Sequence, residues 1–431
     1  MTKGEIDRLG QKIGTSAEVS QDDLNKLQVF RQTFQEPISN VFNFVLHVAR
    51  KVDKLCIVTY RIKRIDTIVE KLHRFYKNPN GKMNLSRMWD IAGCRCIFNT
   101  TDEERLYKLL KKIQKEYGKD CKVNDYVIEP KDSGYRSIHI YVKDHQTQKP
   151  IEIQIRNKEQ HNWATLVEIV DLLYGTKNKE RGAMSRLGRF LYLYSKAEDL
   201  TKEEFAEMIK IERRAKVFEK MSNVLTRNYL HIRRQWLKQK TKGSFFVITA
   251  NKNGSDIVSF QTFKEAETAY FERYLVNSDS NIVLTHLRMP DFNQISMAYS
   301  NYVLAMHAFF DDYRILVSRK IIMCIKDGHY YKFFKYFKIY TSNVRCHFEN
   351  LSLEIQSIND CNNDPSISRN QINKWVGEIK LRLTLWVRET NDFLRKIGLV
   401  SWKDPLKRWL VKNRIKQLQK AINEGQRPIK R

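Results

Sequence analysis

A run of alternating apolar and polar residues constrains the fold of this chain more than any other feature. The run reads Ile151, Glu152, Ile153, Gln154, Ile155, Arg156. Because successive side chains of a β-strand point to opposite faces, it predicts a strand with one apolar and one polar face. The segment before it, from Tyr135 to Val142, alternates in the same way. Two neighbouring strands with polar faces make a poor core and a good site.

The charge of the chain indicates the chemistry of its partner. The net charge of +28 arises from 77 Lys and Arg against 49 Asp and Glu. A surface of this kind favours a polyanion, such as nucleotide phosphates or RNA, or an acidic surface. A generally basic proteome would produce the same balance. With 431 residues, 42% of them hydrophobic, the chain is long enough for two or three packed domains.

Composition also predicts where the protein is found. No apolar run approaches the roughly 18 residues of a membrane span, and the polar start lacks a signal-peptide core. The seven cysteines are an odd number and form no CxxC pair. Cys94 and Cys96, at strand spacing among apolar neighbours, are predicted to be buried, reduced thiols. We therefore expect a cytoplasmic protein with no membrane partner.

Periodicity predicts an α/β first half. Residues 21–56 are expected to form two helices divided near Pro37, and residues 57–77 a further helix. The elements expected next are the strand Cys94–Phe98, the helix Glu103–Tyr117, and strands near Tyr126, Ile138 and Ile151. From His161 to about Trp236 the pattern is helical again.

A polar break at Lys238–Ser244 predicts a domain boundary, followed by a smaller α/β module. Its expected elements are the strands Phe245–Ala250 and Ile257–Phe260, the helix Phe263–Leu275, the strand Ile282–Thr285 and a long helix from Asp291. After Gly328 the chain is predicted to be helical and basic, with a last helix that begins after Asp404-Pro405 and ends near Gly425.

Five segments together resemble the RelA/SpoT nucleotide pyrophosphokinases, the (p)ppGpp synthetases. In order they are Arg61–Lys71, Asp90–Arg95, Asp125–His139, Ile151–Arg156 and His161–Ala164. The resemblance is to the small, synthetase-only members and covers roughly residues 20–235. It implies a nucleotidyltransferase-like α/β fold, with a mixed sheet of about five strands flanked by helices.

We accordingly divide the chain into five predicted regions. They are N-terminal helices (1–50), a synthetase core (51–180), a helical extension (181–240), a small α/β module for which a regulatory role is one hypothesis (241–326), and a basic helical region (327–431).

The resemblance implies ATP-dependent transfer of pyrophosphate to the 3′-hydroxyl of GDP or GTP, which is GTP diphosphokinase activity. Asp90 and Glu152 correspond to the catalytic carboxylates that hold Mg²⁺, a cation that needs only one or two such ligands. For Glu152 the resemblance also implies a second possible role, as the base that takes the proton of the acceptor hydroxyl. Other readings are a helix N-cap for Asp90, and for Glu152 a strand glutamate paired with Arg156.

The resemblance also assigns the nucleotide contacts. On the ATP side, Arg61 and Arg95 correspond to residues around the adenine, and Lys63, Thr67 and Lys71 to residues facing the phosphates. Without it, the spacing of about four from Arg61 to Lys71 would indicate a solvated helix face. On the acceptor side the corresponding residues are Tyr135, stacked on guanine, with Lys131, His139, Gln154 and His161. A packing or capping role for His161 is the alternative.

Three departures from the family pattern affect what the resemblance implies. Asn124 stands where small members often have Arg, which bears on binding of the acceptor phosphates. Glu168 stands where many relatives have His. The motifs of the metal-dependent hydrolase half of the long enzymes are absent, so this chain is expected to make the product and not to destroy it.

The second half carries an aromatic helix face at steps of three and four residues, comprising Phe292, Ile295, Tyr299, Tyr302, Met306, Phe309 and Tyr313. Such a face indicates packing. Tyr299-Ser-Asn-Tyr302 also resembles the regulatory module of fused toxin–antitoxin relatives, which covers the ATP site until a trigger such as a phage protein moves it. The segment His329–Tyr340 mixes aromatics with lysines, as in an amphipathic helix or a platform for single-stranded bases.

Three functions remain open from the sequence. One is synthesis of (p)ppGpp. Another is a toxic pyrophosphokinase that acts on the tRNA 3′ end under control of its C-terminal domain. The third is a catalytically idle RNA-binding protein.

Overall fold

The structure is a computed structural model that describes most of residues 1–430. The residues outside the description are 79–82, 99–101, 119–120, 177, 179–181, 197–199, 218–219, 221–227, 229–230, 234, 237, 239–242, 252–253, 277–280, 289–291, 304–306, 362–367, 402–404 and 431.

Helices and strands alternate in the first half of the chain, and helices dominate the end. The strands are β1 (Ile57–Ile62), β2 (Ala92–Phe98), β3 (Lys122–Asp125), β4 (Ile138–Lys143), β5 (Pro150–Asn157), β6 (Phe245–Asn251), β7 (Gly254–Phe260) and β8 (Asn281–His286). The helices up to β6 are α1 (Lys3–Thr15), α2 (Gln21–Gln32), α3 (Gln35–Val52), α4 (Ile65–Lys77), α5 (Glu104–Tyr117), α6 (Lys158–Tyr174), α7 (Arg186–Ser195) and α8 (Lys202–Ala215). Those after β7 are α9 (Phe263–Val276), α10 (Phe292–Ala298), α11 (Ser300–Val303), α12 (His307–Lys326), α13 (Tyr330–Cys361), α14 (Arg369–Ser401) and α15 (Pro405–Lys430).

All eight of these strands belong to one mixed sheet, in the order β3-β4-β5-β2-β1-β8-β6-β7. The β2–β5 pair is parallel and the other neighbours are antiparallel. This confirms the predicted mixed α/β sheet, whose first five strands lie together. The strands of the predicted small module continue it, because Tyr60, Arg61 and Ile62 pair with His286, Thr285 and Leu284.

One face of the sheet is the core of this part of the chain. Isoleucines of β4 and β5 are fully buried there against α3 and α5, namely Ile138, Ile140, Ile151, Ile153 and Ile155. Each contributes about 1.5–3 kcal/mol by leaving water. Cys94 and Cys96 lie on the same face and are buried and free, as predicted.

The helix predicted over residues 57–77 is wrong in its first part. Residues Ile57–Ile62 form β1, and only Ile65–Lys77 is helical. The β-branched and aromatic residues of β1 suit a strand, and β1 is paired on both sides by β2 and β8. Arg61 and Lys63 therefore do not lie on a helix face with Thr67 and Lys71.

Three other predicted helix boundaries are also wrong. The break near Pro37 falls instead between Gln32 and Gln35, so that Pro37 lies in the first turn of α3, where a missing N–H is tolerated. The long helix from Asp291 is divided into α10, α11 and α12. The last helix continues past Gly425 to Lys430.

The described chain separates into two compact units. One comprises residues 1–195 and 239–304, and contains the whole sheet. The other comprises residues 196–238 and 305–431 and is helical. No described helix is long and apolar enough to cross a membrane.

The helical unit has an aromatic core of its own. Tyr340 lies 4.5 Å from Phe393 between ring centroids, and His347 stacks on Trp386 at 4.4 Å. In the segment His329–Tyr340 the aromatics Phe333, Tyr336, Phe337 and Tyr340 are buried, while Lys332, Lys335 and Lys338 are exposed. This pattern confirms an amphipathic helix with lysines at its rim.

Candidate functional site

Two rows of polar positions cross the sheet on the face opposite the isoleucines. In one row the paired residues are Arg61, Gly93, Glu152, Tyr141 and Lys122. In the other they are Thr59, Arg95, Gln154, His139 and Asn124. Residues paired across neighbouring strands project from the same face, so the rows form one polar surface.

A cavity of about 340 Å³ lies over these rows. Nine of the predicted site residues line it: Arg61, Lys63, Asp90, Arg95, Lys131, Tyr135, His139, Glu152 and Gln154. Thr67 and Lys71 line a second cavity of about 740 Å³, which shares Arg61, Lys63 and Glu168 with the first. His161 lines neither of these cavities.

Asp90 lies in the turn before β2, between two lysines. Lys63 Nζ is 2.7 Å from Oδ2 and Lys71 Nζ is 2.8 Å from Oδ1. Burial would raise the pKa of Asp90, but the two ammonium groups hold it well below its ordinary value. Because the turn leads into a strand, the helix N-cap reading of Asp90 is wrong.

Glu152 lies in the middle of β5 and is held by its neighbours on the polar face. His139 Nδ1 is 2.8 Å from Oε1, and Gln154 Nε2 donates to Oε2 at 2.9 Å. Burial opposes ionisation, yet these hydrogen bonds lower the pKa of Glu152 to about 2. The carboxylate is therefore ionised at neutral pH. Its partners are His139 and Gln154, and the ion pair with Arg156 considered from the sequence is not formed.

Gly93 allows β2 to approach β5 closely beside these carboxylates. A Cβ at this position would lie 2.9 Å from the Glu152 carbonyl oxygen. The small residue after Asp90 thus serves the packing of the two strands that bring Asp90 and Glu152 to one cavity.

Tyr135 is at the centre of a ring of cations and aromatics. Its hydroxyl is 2.6 Å from His139 Nε2 and accepts a hydrogen bond from Arg156 Nη2. Lys131 Nζ lies 5.3 Å from the Tyr135 ring centroid and 4.4 Å from that of Tyr126. Burial would raise the pKa of Tyr135, but Arg156 and His139 lower it to about 7.

Arg156 is a site residue that the sequence reasoning did not select. Its guanidinium donates to Tyr135, to Gln154 Oε1 at 3.0 Å and to Ser137 Oγ at 3.3 Å. The sequence did contain a pattern that indicates Arg156, because this residue continues the alternation of Glu152 and Gln154 along the same strand.

His161 is buried, and its Nε2 donates to the Met297 carbonyl at 2.7 Å. Burial, with Arg95 and Arg156 nearby, lowers the pKa of His161 to about 3, so the ring is neutral. The structure thus places this residue in a packing contact beside the cavity.

The residues around Tyr299 lie against the predicted ATP side. Arg95 Nη1 donates to the Ala298 carbonyl at 2.9 Å, and Arg95 Cζ is 5.6 Å from the centroid of the Tyr299 ring. Asn301 Nδ2 donates to Glu168 Oε2. The Tyr299 hydroxyl accepts from Thr285 at 2.6 Å.

Tyr299 and Tyr302 are both buried, and Tyr302 lines the second cavity. Of the predicted aromatic face, Met306 and the side chains of Phe309 and Tyr313 lie outside the described residues.

The carboxylates of the site fit a magnesium ion that is also bound by substrate. Asp90 and Glu152 line one cavity, and the charge of Asp90 opposes ionisation of Glu152. Among the described residues, no group of three or more His, Cys, Asp or Glu could hold a metal by itself. Mg²⁺ commonly uses one or two carboxylates plus phosphate oxygens, and this donor set matches that requirement.

The mixed sheet thus presents a cavity lined by carboxylates, cations and a tyrosine. Residues 60–179 match the family model for the region found in RelA / SpoT proteins. This part of the chain is therefore a RelA/SpoT domain.

Several curated relatives share this region. GTP pyrophosphokinase YjbM of Bacillus subtilis is 29% identical over 130 residues, which is 29% of this chain and 60% of that protein. GTP pyrophosphokinase YwaC of the same organism is 34% identical over 113 residues, 25% of this chain and 53% of that protein. The chain thus covers less than two thirds of each.

The solved structures that resemble this chain include small alarmone synthetase 1 of Bacillus subtilis bound to its product pppGpp. It is 22% identical, with a TM-score of 0.33, and the match covers 43% of this chain and 97% of that one.

The low pKa of Tyr135 can be tested without substrate. In the difference between the ultraviolet titrations of the native protein and the Tyr135→Phe variant, we expect phenolate to form with a midpoint near neutral pH. The reason is that the Arg156 guanidinium stabilises the phenolate. A midpoint at the ordinary value of about 10 would show that Tyr135 is not held in this way.

Proposed function

We propose that this chain transfers pyrophosphate from ATP to the 3′-hydroxyl of GDP or GTP and thereby makes (p)ppGpp. The observation that carries the proposal is that Asp90 and Glu152 line one cavity between two sets of nucleotide-binding groups. The relatives YjbM and YwaC, both named GTP pyrophosphokinases, support the choice of acceptor.

The ATP half of the cavity contains Arg61, Lys63 and Arg95, with Lys71 beside it in the second cavity. Guanidinium groups stack on a purine ring, so Arg61 and Arg95 are assigned to the adenine. Lys63 and Lys71 now neutralise Asp90. When the triphosphate enters, their ammonium groups turn to its oxygens and leave the Asp90 carboxylate available.

Asp90 and Glu152 would then hold Mg²⁺. A bound Mg²⁺ supplies positive charge that stabilises the developing charge on the polyphosphate. Glu152, with a pKa of about 2, is a weak proton acceptor at neutral pH. We therefore assign it to ligand binding and to orienting the acceptor hydroxyl.

The acceptor half is formed by Tyr135 with Lys131, His139 and Gln154 around it. The guanine would stack on Tyr135, and Lys131 would face its phosphates. Asn124, at the end of the second polar row, contributes an amide where small relatives often have a cation. The acceptor half consequently relies more on Lys131 and Lys122 for charge.

Transfer of label distinguishes the three functions. The protein is incubated with Mg²⁺, γ-labelled ATP and either GDP, GTP or bulk tRNA, because the γ-phosphate accompanies the transferred β-phosphate. Label in GDP or GTP is the expected result. Label in tRNA alone would establish the tRNA pyrophosphokinase instead. No label in any acceptor, from either the native protein or the Asn301→Ala variant that lacks the contact with Glu168, would leave an idle RNA-binding protein.

A second part of the proposal concerns regulation. Three residues of the segment 297–302 contact the side of the site assigned to adenine. The Ala298 carbonyl accepts a hydrogen bond from Arg95, the Tyr299 ring lies beside the Arg95 guanidinium, and Asn301 donates to Glu168. While Arg95 donates to the Ala298 carbonyl and lies beside the Tyr299 ring, its guanidinium is held against this segment and not against a nucleotide. We propose that this segment keeps the site closed and that a trigger protein, by binding the open state, releases it.

The two carboxylates should be indispensable. We expect Asp90→Asn and Glu152→Gln each to lower kcat/KM at least about a hundredfold, on the order of 3 kcal/mol, because charge on the polyphosphate is left uncompensated. Glu104→Gln, which changes an exposed carboxylate on α5, is the control and should leave activity unchanged. Near-native transfer by either variant at an unchanged melting temperature would refute the mechanism.

Arg61 and Tyr135 should separate the two substrates. Arg61→Ala is expected to raise KM for ATP, and Tyr135→Ala to raise KM for GDP or GTP, by the roughly 1–3 kcal/mol of one stacking partner. Tyr331→Ala removes an 84% exposed tyrosine of the helical unit and serves as the control. Unchanged saturation by both guanine nucleotides in Tyr135→Ala would exclude guanine stacking at this residue.

Loss of the closing contacts should activate the enzyme. We expect Tyr299→Ala combined with Tyr302→Ala to raise basal transfer several-fold, because Arg95 is freed for adenine. Since both tyrosines are buried, Asn301→Ala is the milder variant, as it removes only the contact with Glu168. Unchanged or lower activity in Asn301→Ala, with native melting, would contradict the closing role.

A further inference from the structure

A fully buried ion pair joins the N-terminal helices to the second half of the chain. Arg31 of α2 and Glu267 of α9 lie 3.0 Å apart, with side-chain exposures of 0% and 1%. Gln28 Nε2 donates to the same Glu267 oxygen at 2.6 Å. All three residues lie within the unit that contains the sheet.

The same cluster holds the backbone between β1 and α4. Arg31 Nε donates to the Lys63 carbonyl at 2.8 Å. The N–H of Ile65, the first residue of α4, donates to the Tyr270 hydroxyl at 3.0 Å. Arg31 also lies over the Tyr270 ring, 4.4 Å from its centroid. Two consecutive anchor points of the chain therefore depend on Arg31 and on helix α9.

This arrangement is poorly explained as a device for stability. Arg31 Nη2 and Glu267 Oε2 are buried without a hydrogen-bond partner. A buried ion pair with unsatisfied atoms is often matched or exceeded in stability by apolar residues of similar size. What the cluster does provide is a defined position for the Lys63 carbonyl and the Ile65 N–H.

Each of these two backbone hydrogen bonds is close to a lysine that pairs with Asp90. The Lys63 carbonyl accepts from Arg31, and Lys63 Nζ forms an ion pair with Asp90 Oδ2. The Ile65 N–H donates to the Tyr270 hydroxyl at the start of α4. Lys71, on the same helix, forms an ion pair with Asp90 Oδ1. The two lysines thus approach opposite oxygens of one carboxylate from separately anchored backbone.

We propose that Arg31, Glu267 and Tyr270 are positioning residues that set Lys63 and Lys71 against Asp90. The consequence for ATP rests on the proposed function: α9, although it follows the synthetase region in sequence, completes the ATP half of the site. The second half of the chain then supplies both a support for the site and a segment that closes it.

The test uses variants that keep the shape of the cluster. Tyr270→Phe retains the ring over which Arg31 lies and removes only the hydroxyl that accepts from Ile65. Glu267→Gln retains the size of the side chain and removes its charge. Tyr274→Phe, on the same helix and stacked on Tyr270 at 6.5 Å, is the matched control.

The first measurement needs no substrate. In the full-length protein, the acetylation rates of individual lysines are followed by mass spectrometry, with the exposed Lys26 and Lys108 as internal references. We expect Lys63 and Lys71 to react on the order of fivefold faster in Tyr270→Phe and Glu267→Gln, the effect of losing one typical hydrogen bond. Native rates in both variants would overturn the proposal.

The second measurement separates positioning from general destabilisation. In both variants KM for ATP should rise severalfold while KM for the acceptor stays native, and Tyr274→Phe should change neither. An equal effect on both substrates would reduce the cluster to a structural role and overturn the proposal. Faster acetylation in a protein that transfers no pyrophosphate, either in its native form or as Asn301→Ala, would leave the positioning intact and refute the proposed function.

Discussion

The position of Asp90 between Lys63 and Lys71 is the interaction on which the rest of the site depends. It joins the end of β1, the helix α4 and the turn before β2 at one carboxylate. The two ammonium groups keep this partly buried acid ionised without substrate. They also keep phosphate-binding cations beside the carboxylate proposed to bind Mg²⁺.

The second half of the chain contributes to the sheet unit in two opposing ways. Strand β8 pairs with β1 and helix α9 anchors the loop that follows β1, so these elements support the ATP half. The segment 297–302 instead occupies Arg95. Removing everything after residue 240 would combine the two effects and expose the edge of β1. Point substitutions are therefore the informative way to separate support from closure.

The alternation in β4 and β5 was enough to predict both strands and their polar face, because period 2 is a local property of the sequence. The predicted cavity residues outside these strands came from the family resemblance. The helix predicted over residues 57–62 was wrong for the opposite reason. Residues 57–62 become a strand through pairing with β2 and β8, which are distant in sequence. The cluster of Arg31 and Glu267 was likewise invisible, since neither residue belongs to a motif and only the fold brings them together.

We propose that ATP binds where Lys63 and Lys71 now pair with Asp90 and where Arg95 donates to the Ala298 carbonyl. The decisive experiment is a crystal structure of the protein with Mg²⁺ and a non-hydrolysable ATP analogue. We expect Lys63 and Lys71 on the phosphates, Mg²⁺ on Asp90 and Glu152, and Arg95 released from the Ala298 carbonyl to the adenine. An analogue bound elsewhere, with both lysines still paired with Asp90, would refute this placement of ATP.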